Sequence, residues 1–279
     1  MKIIASIVTY NADLTRLRQN LYSILPQVFE VIVIDNGSKN LGDVINLISS
    51  FPNIHIIQEG TNKGIAKALN DAASYAYDKG FEWIITLDQD SVSPSNLVST
   101  YEKYTNVNRV GMISCKIIDR NFGELSYNQS DHKPIEEVST CITSASMLNL
   151  KAWKEVGGFD ENMFIDSVDF DICYSLREHG YKVLRTNETS LLHEVGHSEI
   201  RKWMGKERQI FHHSPIRYYY MARNGLLLGK KHHFLPRAIY RSLRGFIIML
   251  LFDDHRQAKA KMMLRGYWHF IIGKYGKLQ

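Results

Sequence analysis

Four short apolar runs, at residues 3–8, 31–34, 54–57 and 83–87, alternate with three longer stretches in which apolar residues recur at helical spacing, near 14–25, 41–50 and 65–77. Buried parallel strands read as continuous apolar runs and crossover helices as a 3.6-residue period, so the alternation predicts repeated βαβ units. The expected fold class is α/β, Rossmann-like, with a mostly parallel central sheet and helices on both faces. Ligands of such sheets sit outside the carboxyl ends of the strands. The 279 residues, 44% apolar and 23% charged, suffice for one large α/β domain, or for one of roughly 200 residues with an appendage.

The polar residues at those carboxyl ends are therefore the candidates for function. The first run ends in Thr9-Tyr10-Asn11, the second in Asp35-Asn36-Gly37-Ser38, the third in Gly60-Thr61-Asn62-Lys63-Gly64 and the fourth in Asp88-Gln89-Asp90-Ser91. Turn and cap chemistry explains any one of these clusters. It does not explain why four successive strands deliver short polar or acidic groups to one edge. Downstream, Val110–Cys115 reads as another strand, residues 119–137 as an aperiodic loop over the sheet edge, and Thr143–Leu148 as a small-residue apolar segment. Beyond residue 200 the chain reads as helical with strongly basic faces.

Charge divides the chain the same way. Residues 1–200 carry 17 Lys and Arg against 26 Asp and Glu, whereas residues 201–279 carry 17 against 3. The expected organisation is a catalytic domain over 1–200 and a basic helical region over 201–279, the latter suited to a phosphate-rich surface. Cys115, Cys141 and Cys173 are widely spaced in apolar settings without a Cys-x-x-Cys pair, which predicts buried thiols rather than disulfides or a zinc site. Met1-Lys2 leads directly into Ile3–Val8, too short an apolar run for a secretion signal, so a cytoplasmic location is expected.

Two acidic clusters carry the chemistry. Asp88 and Asp90 flank Gln89, and strand alternation points both carboxylates to one side, where they suit a hard cation. Mg²⁺ and Mn²⁺ accept few protein ligands and complete their shells with water and phosphate oxygens. A helix cap ahead of Pro94 accounts for only one of the two. The second cluster, Asp166, Asp169 and Asp171, precedes a helical pattern from Ile172 to Arg177. Caps explain one or two of them; three at one helix start repel, which raises at least one pKa and suits a general base.

Val8-Thr9-Tyr10-Asn11, Ile34-Asp35-Asn36-Gly37-Ser38, Asn62-Lys63-Gly64, Leu87-Asp88-Gln89-Asp90 and Gly157-Gly158-Phe159-Asp160-Glu161 stand in the order and approximate spacing of the family 2 inverting glycosyltransferases. The resemblance covers about residues 3–195. Phe164-Ile165-Asp166-Ser167-Val168-Asp169 resembles the rhamnosyltransferase branch in particular, as do Ser214-Pro215-Ile216-Arg217-Tyr218-Tyr219-Tyr220 and Arg223-Asn224 further on. It implies a GT-A fold that binds a nucleotide sugar. It also implies base and ribose contacts at the first strand end (Thr9, Tyr10, Asn11) and at Asp35, with Asn62 and Gly64 lining the same cleft. Asp88 would face ribose and metal, and Asp90 would be the main ligand of Mg²⁺ or Mn²⁺. The family pattern has Glu-Asp where this chain has Val168-Asp169, so Asp169 alone inherits the role of general base, with Asp166 as alternative or support.

His193-Glu194-Val195-Gly196-His197 matches His-Glu-x-x-His, a zinc-peptidase signature that works only on a helix. The preceding Thr189–Leu192 reads as a strand end and Gly196 disfavours helix. The resemblance instead implies His193 as a third metal ligand near the diphosphate. Arg217, Arg223 and Lys230 are candidates to neutralise that diphosphate. In the tail, Arg237, Arg241 and Arg244 recur at helical spacing before the eight-residue run Gly245–Phe252, too short to span a bilayer but suited to lying on an anionic leaflet. Stacking aromatics do not alternate with the basic residues, so nucleic acid is not an expected partner. The expected activity is transfer of L-rhamnose from dTDP-β-L-rhamnose to a lipid-linked or cell-surface polysaccharide acceptor, by a peripheral enzyme at the inner face of the cell membrane. A UDP-hexose-dependent transferase is the alternative; a zinc hydrolase at His193 and His197 and a catalytically silent nucleotide-sugar binding protein are rivals from other classes.

Overall fold

The structure, a computed structural model, describes residues 2–119, 123–124, 133–193, 198–203, 206–211 and 213–279; for 119, 123–124, 193, 198–203 and 206–211 it describes the backbone alone. The chain divides into two compact units, the first Met1–Glu161 with Asp169–Glu194, the second Asn162–Val168 with Val195–Gln279.

The first unit opens with the expected βαβ units. β1 (Ile3–Thr9), β2 (Glu30–Asp35), β3 (Ile54–Gln58) and β4 (Trp83–Asp88) alternate with α1 (Leu14–Ile24), α2 (Leu41–Ile48) and α3 (Ile65–Asp78). The pairs β1–β2, β2–β3 and β1–β4 are parallel. Central strands buried on both faces leave no alternation in the sequence: Ile3, Ile4, Ala5, Ser6 and Ile7 of β1 and Val31, Ile32, Val33 and Ile34 of β2 are all buried. Asp13 caps α1, its carboxylate accepting from the backbone N–H of Thr15 (2.8 Å) and Arg16 (3.0 Å).

After α4 (Leu97–Glu102) the sheet changes direction. Strand β8 (Ser146–Asn149) inserts antiparallel between β4 and β5 (Val110–Asp119), β9 (Lys182–His193) pairs parallel with β5, and β7 (Ile135–Glu137) flanks β9, giving the order β3-β2-β1-β4-β8-β5-β9-β7. Strand order reverses between β1 and β4, the switch point at which doubly wound sheets open a crevice. The aperiodic reading of residues 119–137 is corrected in two places, where β6 (Gly123–Glu124) pairs with β5 and β7 (Ile135–Glu137) with β9. Two- and three-residue strands are too short to carry a period. Glu136 is fixed there by Arg185, 2.7 Å away. Helices α5 (Leu150–Glu155) and α6 (Val168–Glu178) complete the sequence of elements.

In the second unit, residues 198–203 and 206–211 are not helical. β10 (Ser198–Trp203) and β11 (Lys206–Phe211) form an antiparallel pair; their basic side chains hide the weak alternation of a short two-stranded ribbon. Three helices follow, α7 (Pro215–Lys231), α8 (Leu235–Phe252) and α9 (Arg256–Ile271). A Cβ on Gly266 would lie 2.6 Å from the carbonyl of Tyr219, so glycine permits the close approach of α7 and α9. At the α8–α9 corner the Lys259 ammonium, 2% exposed, meets Asp253 at 2.6 Å and also Asp254. Among the described residues no helix is long and apolar enough to cross a membrane.

Candidate active site

The strand ends of the first unit are tied to one another. The backbone N–H of Tyr10 donates to Gln89 Oε1 (2.9 Å), linking β1 to β4 across the switch point. Asn11, at φ 50°, donates from its N–H to Ser38 Oγ and accepts from the N–H of Lys39, linking β1 to β2. Asn36 accepts from the N–H of Lys63 (2.8 Å), linking β2 to β3. Gly37 at φ 82° lies so close to Thr61 that a Cβ would fall 2.6 Å from its carbonyl carbon. Asn62 accepts from the N–H of Gly64, which at φ 93° opens α3. Four loops thus form one rim, with Tyr10 47% exposed on it.

Not every residue of this rim faces outward. Asp35 is fully buried: Oδ2 accepts from the N–H of Gly37 and Ser38, and Oδ1 from Thr9 Oγ1 at 3.3 Å. Thr9 is equally buried. Thr9 and Asp35, expected at the ribose, are thus buried side chains that shape the β2 turn, on which Ser38 is half-buried.

Asp88 and Asp90 hang on a turn rather than on a continuing strand. β4 ends at Asp88, and the Asp88 carbonyl accepts from the N–H of Ser91 (3.2 Å) and from Asn20 Nδ2 (2.7 Å). Period-two alternation therefore does not reach Asp90. The capping explanation also fails, since α4 begins at Leu97 behind Asn96. The Asp90 carboxylate, 28% exposed, has Arg16 at 3.7 Å, too far for a hydrogen bond. Among the described residues no three His, Cys, Asp or Glu side chains converge on a cation. Two partly exposed carboxylates on one short turn fit Mg²⁺ or Mn²⁺, hard ions that leave most of their shell to water and phosphate.

The second acidic cluster is divided. Asp169 and Asp171 occupy the first turn of α6, Asp171 fully buried and Asp169 partly. Thr143 Oγ1 donates to Asp169 Oδ1 at 2.9 Å and sets its orientation. Asp166 belongs to the second unit and pairs with Arg217 Nε at 3.2 Å. Burial raises its pKa, and Arg217 opposes the rise. Desolvation, not repulsion among three carboxylates, is thus the cause of the shift.

Arg223 also departs from expectation. It is fully buried in the second unit, donating through Nη1 to the Gly276 carbonyl (2.7 Å), through Nη2 to the Asn162 carbonyl (3.0 Å) and through Nε to Asn224 Oδ1 (2.9 Å). Such a guanidinium is not available to a diphosphate. Asn224 Nδ2 in turn donates to the carbonyls of Met163 (2.5 Å) and Ile165 (2.6 Å). These bonds hold a strained segment in which Phe164, Asp166 and Ser167 have φ of 60°, 64° and 67°. Left-handed non-glycine residues cost of order 1–3 kcal/mol each. The Arg-Asn pair is the clamp that sustains them immediately before α6 and Asp169 in sequence.

His193 ends β9, a strand and not the helix that His-Glu-x-x-His requires. Its side chain, expected as a metal ligand, and residues 194–197 with His197 lie outside the described residues. Sequence reasoning missed Asn20, Gln89, Asn70 and Thr143. Asn70 bonds four ways, to Phe159 N–H and carbonyl, Trp153 Nε1 and Glu161, and so fixes the Gly158 turn. A signal existed for Asn20: it occupies the buried i+3 position of Leu17, Leu21 and Ile24, where a polar residue needs a specific partner.

Residues 5–170 match the model of glycosyl transferase family 2. The chain is 31% identical over 246 residues to a dTDP-rhamnosyl transferase, RfbF, of Shigella flexneri, covering 83% of this chain and 81% of that protein. It is 23% identical to an N-acetylglucosaminyl-diphospho-decaprenol L-rhamnosyltransferase of Mycobacterium tuberculosis, over 68% and 75% of the two chains. Among solved structures, S. aureus TarS 1–349 in complex with UDP-GlcNAc aligns with TM-score 0.60 at 16% identity, over 97% of this chain and 73% of that one. GalNAc-T7 with UDP, GalNAc and Mn²⁺ aligns at 0.59 and 15%, over 85% and 54%. At that identity the likeness establishes the GT-A fold alone. The family match spans β1 through the start of α6, and with it the rim, the Asp88–Asp90 turn and Asp169; the chain belongs to glycosyltransferase family 2.

Proposed function

We propose that the chain transfers L-rhamnose from dTDP-β-L-rhamnose to a glycan acceptor carried by lipid or by a growing cell-surface polysaccharide, with inversion, at the inner face of the cell membrane. The observation that carries the reading is the separation of two carboxylate sites, the Asp88–Asp90 turn at the switch point and Asp169 held by Thr143 at the start of α6. The similarity to a dTDP-rhamnosyl transferase of Shigella and to an L-rhamnosyltransferase of Mycobacterium supports the choice of sugar. The Mn²⁺ of one structural neighbour supports a divalent cation.

In this reading Tyr10, Asn11, Asn62 and Gly64 line the nucleotide cleft, and Asp35 and Thr9 hold its β2 wall. Asp90, with Asp88, would hold Mg²⁺ or Mn²⁺, which when bound neutralises charge on the diphosphate. Asp169 accepts the proton of the acceptor hydroxyl while that oxygen bonds to the anomeric carbon. The bond from that carbon to the diphosphate oxygen breaks on the opposite face, releasing dTDP. One base and one displacement give inversion without a covalent intermediate. Residues 1–200 carry this chemistry, and the basic region 201–279 places it at the membrane.

A UDP-hexose donor is the second reading, supported by the UDP-sugar complexes among the structural neighbours. A donor panel of dTDP-rhamnose, UDP-glucose and UDP-galactose, read as nucleotide release with added Mg²⁺ or Mn²⁺, separates the two. Release from dTDP-rhamnose alone is expected. Release from a UDP-hexose alone would discard the rhamnosyl donor and keep the family.

A further inference from the structure

Helix α8 is exposed along most of its length. Of its 18 residues only Ala238 and Met249 are buried. On that side Met249 packs with Ala222 and Met263, and Ser242 Oγ donates to Tyr267 Oη at 2.9 Å. At about 100° per residue, Tyr240, Leu243, Ile247, Leu250 and Leu251 fall on the other side within an arc of about 120°. Their exposures are 68%, 53%, 57%, 38% and 48%. Single exposed apolar residues are ordinary, but a continuous stripe at i, i+3, i+7 and i+11 marks a binding surface. Arg237, Arg241 and Arg244, all exposed, follow one border of the stripe, and α8 contains no acidic residue.

We propose that this face of α8 docks on an anionic lipid leaflet, lying in the interface plane with the five apolar side chains inserted and the three arginines at the phosphate level. The proposal rests on the reading that the acceptor is carried by lipid, and it names the surface that brings the enzyme to it. Charge selects the occupant. A bilayer rich in anionic lipid complements an arginine border and accepts an apolar stripe at once. A second copy of the chain would bring against this face a region with 17 basic and 3 acidic residues, the same sign as its own. The helix is too short and too basic to insert across the bilayer.

The test is co-sedimentation of the purified full chain with vesicles, without donor or acceptor. The wild type should bind phosphatidylcholine vesicles containing about 30 mol % phosphatidylglycerol and not phosphatidylcholine alone. Arg237→Gln/Arg241→Gln/Arg244→Gln should weaken binding on the order of a hundredfold, at about fivefold per arginine. Leu243→Gln/Ile247→Gln should weaken it by about tenfold or more. Both variants change solvent-exposed positions, and dTDP release with a soluble acceptor should stay at the wild-type rate. Absence of anionic-vesicle binding, equal binding by all three proteins, or a concentration-dependent dimer dissolved by Leu243→Gln/Ile247→Gln without vesicle binding would each overturn the proposal. Vesicle binding is read without sugar and the donor panel without lipid, so failure of one leaves the other standing.

Discussion

The sheet edge of the first unit and the helices of the second use charged residues in opposite ways. At the sheet edge, acidic residues divide between a buried carboxylate that builds a turn, Asp35, and partly exposed ones on turns and a helix start, Asp88, Asp90 and Asp169. In the second unit the buried charges, Arg223 and Lys259, hold helices and a strained loop, while the exposed arginines of α8 border an apolar stripe. In both, burial separates charges that build from charges proposed to act. The sequence alone gives both kinds the same letters.

The largest effects are expected at the partly exposed carboxylates. Asp90→Asn and Asp169→Asn should each lower kcat by about 10²–10⁴-fold in a rhamnosyl-transfer assay, with little change in Tm. Chelation by EDTA should abolish wild-type turnover and added Mn²⁺ restore it. A building charge should behave in the reverse manner. Arg223→Met, which leaves the carbonyls of Asn162 and Gly276 without their donor, should cost about 3–5 kcal/mol and lower Tm by about 10 °C. Arg217→Gln, at a pair whose arginine is 48% exposed, should cost less than about 1 kcal/mol. A Tm loss for Asp90→Asn, or none for Arg223→Met, would erase the distinction.

Thr143→Val sharpens the account of Asp169. Loss of the 2.9 Å hydrogen bond should reduce kcat about tenfold and leave KM for the donor unchanged; an equal change in donor KM would place Thr143 in donor binding. A pH-dependent effect concerns His213. Burial, reinforced by Arg217, pulls its pKa from 6.5 down to about 4. Between those values the folded chain binds fewer protons than the unfolded one, so stability rises with pH through this window. His213 contributes fully above about pH 6.5, and on the order of 1–2 kcal/mol is lost toward pH 4 after screening. His213→Gln should flatten the Tm–pH curve there; an unchanged slope would exclude His213 as its source.

Much of the first unit was legible because its central strands are buried on both faces and so read as unbroken apolar runs; α1, α2 and α3 followed from the intervening period. Strands β6, β7, β10 and β11 were not: β6 and β7 are two and three residues long, and β10 and β11 form a six-residue ribbon rich in basic residues. At the site, Asp88 and Asp90 were singled out by type and position, and Asp169 within its acidic cluster by the family resemblance. The inward roles of Thr9 and Asp35 were not, because a residue that builds a turn and one that contacts a ribose are drawn from the same few types. Arg223 was misread for want of a helical wheel: with Tyr219 and Leu226 it lies at i, i+4 and i+7 on the buried face of α7, where a charge signals a structural clamp.

Asp90 is proposed to serve the donor and Asp169 the acceptor. Calorimetric titration of dTDP-β-L-rhamnose, in the presence of Mn²⁺, into the wild type, Asp90→Asn and Asp169→Asn tests it most directly. Donor binding should be lost or severely weakened in Asp90→Asn and retained at wild-type affinity in Asp169→Asn. Wild-type donor affinity in Asp90→Asn, or its loss in Asp169→Asn, would contradict the division.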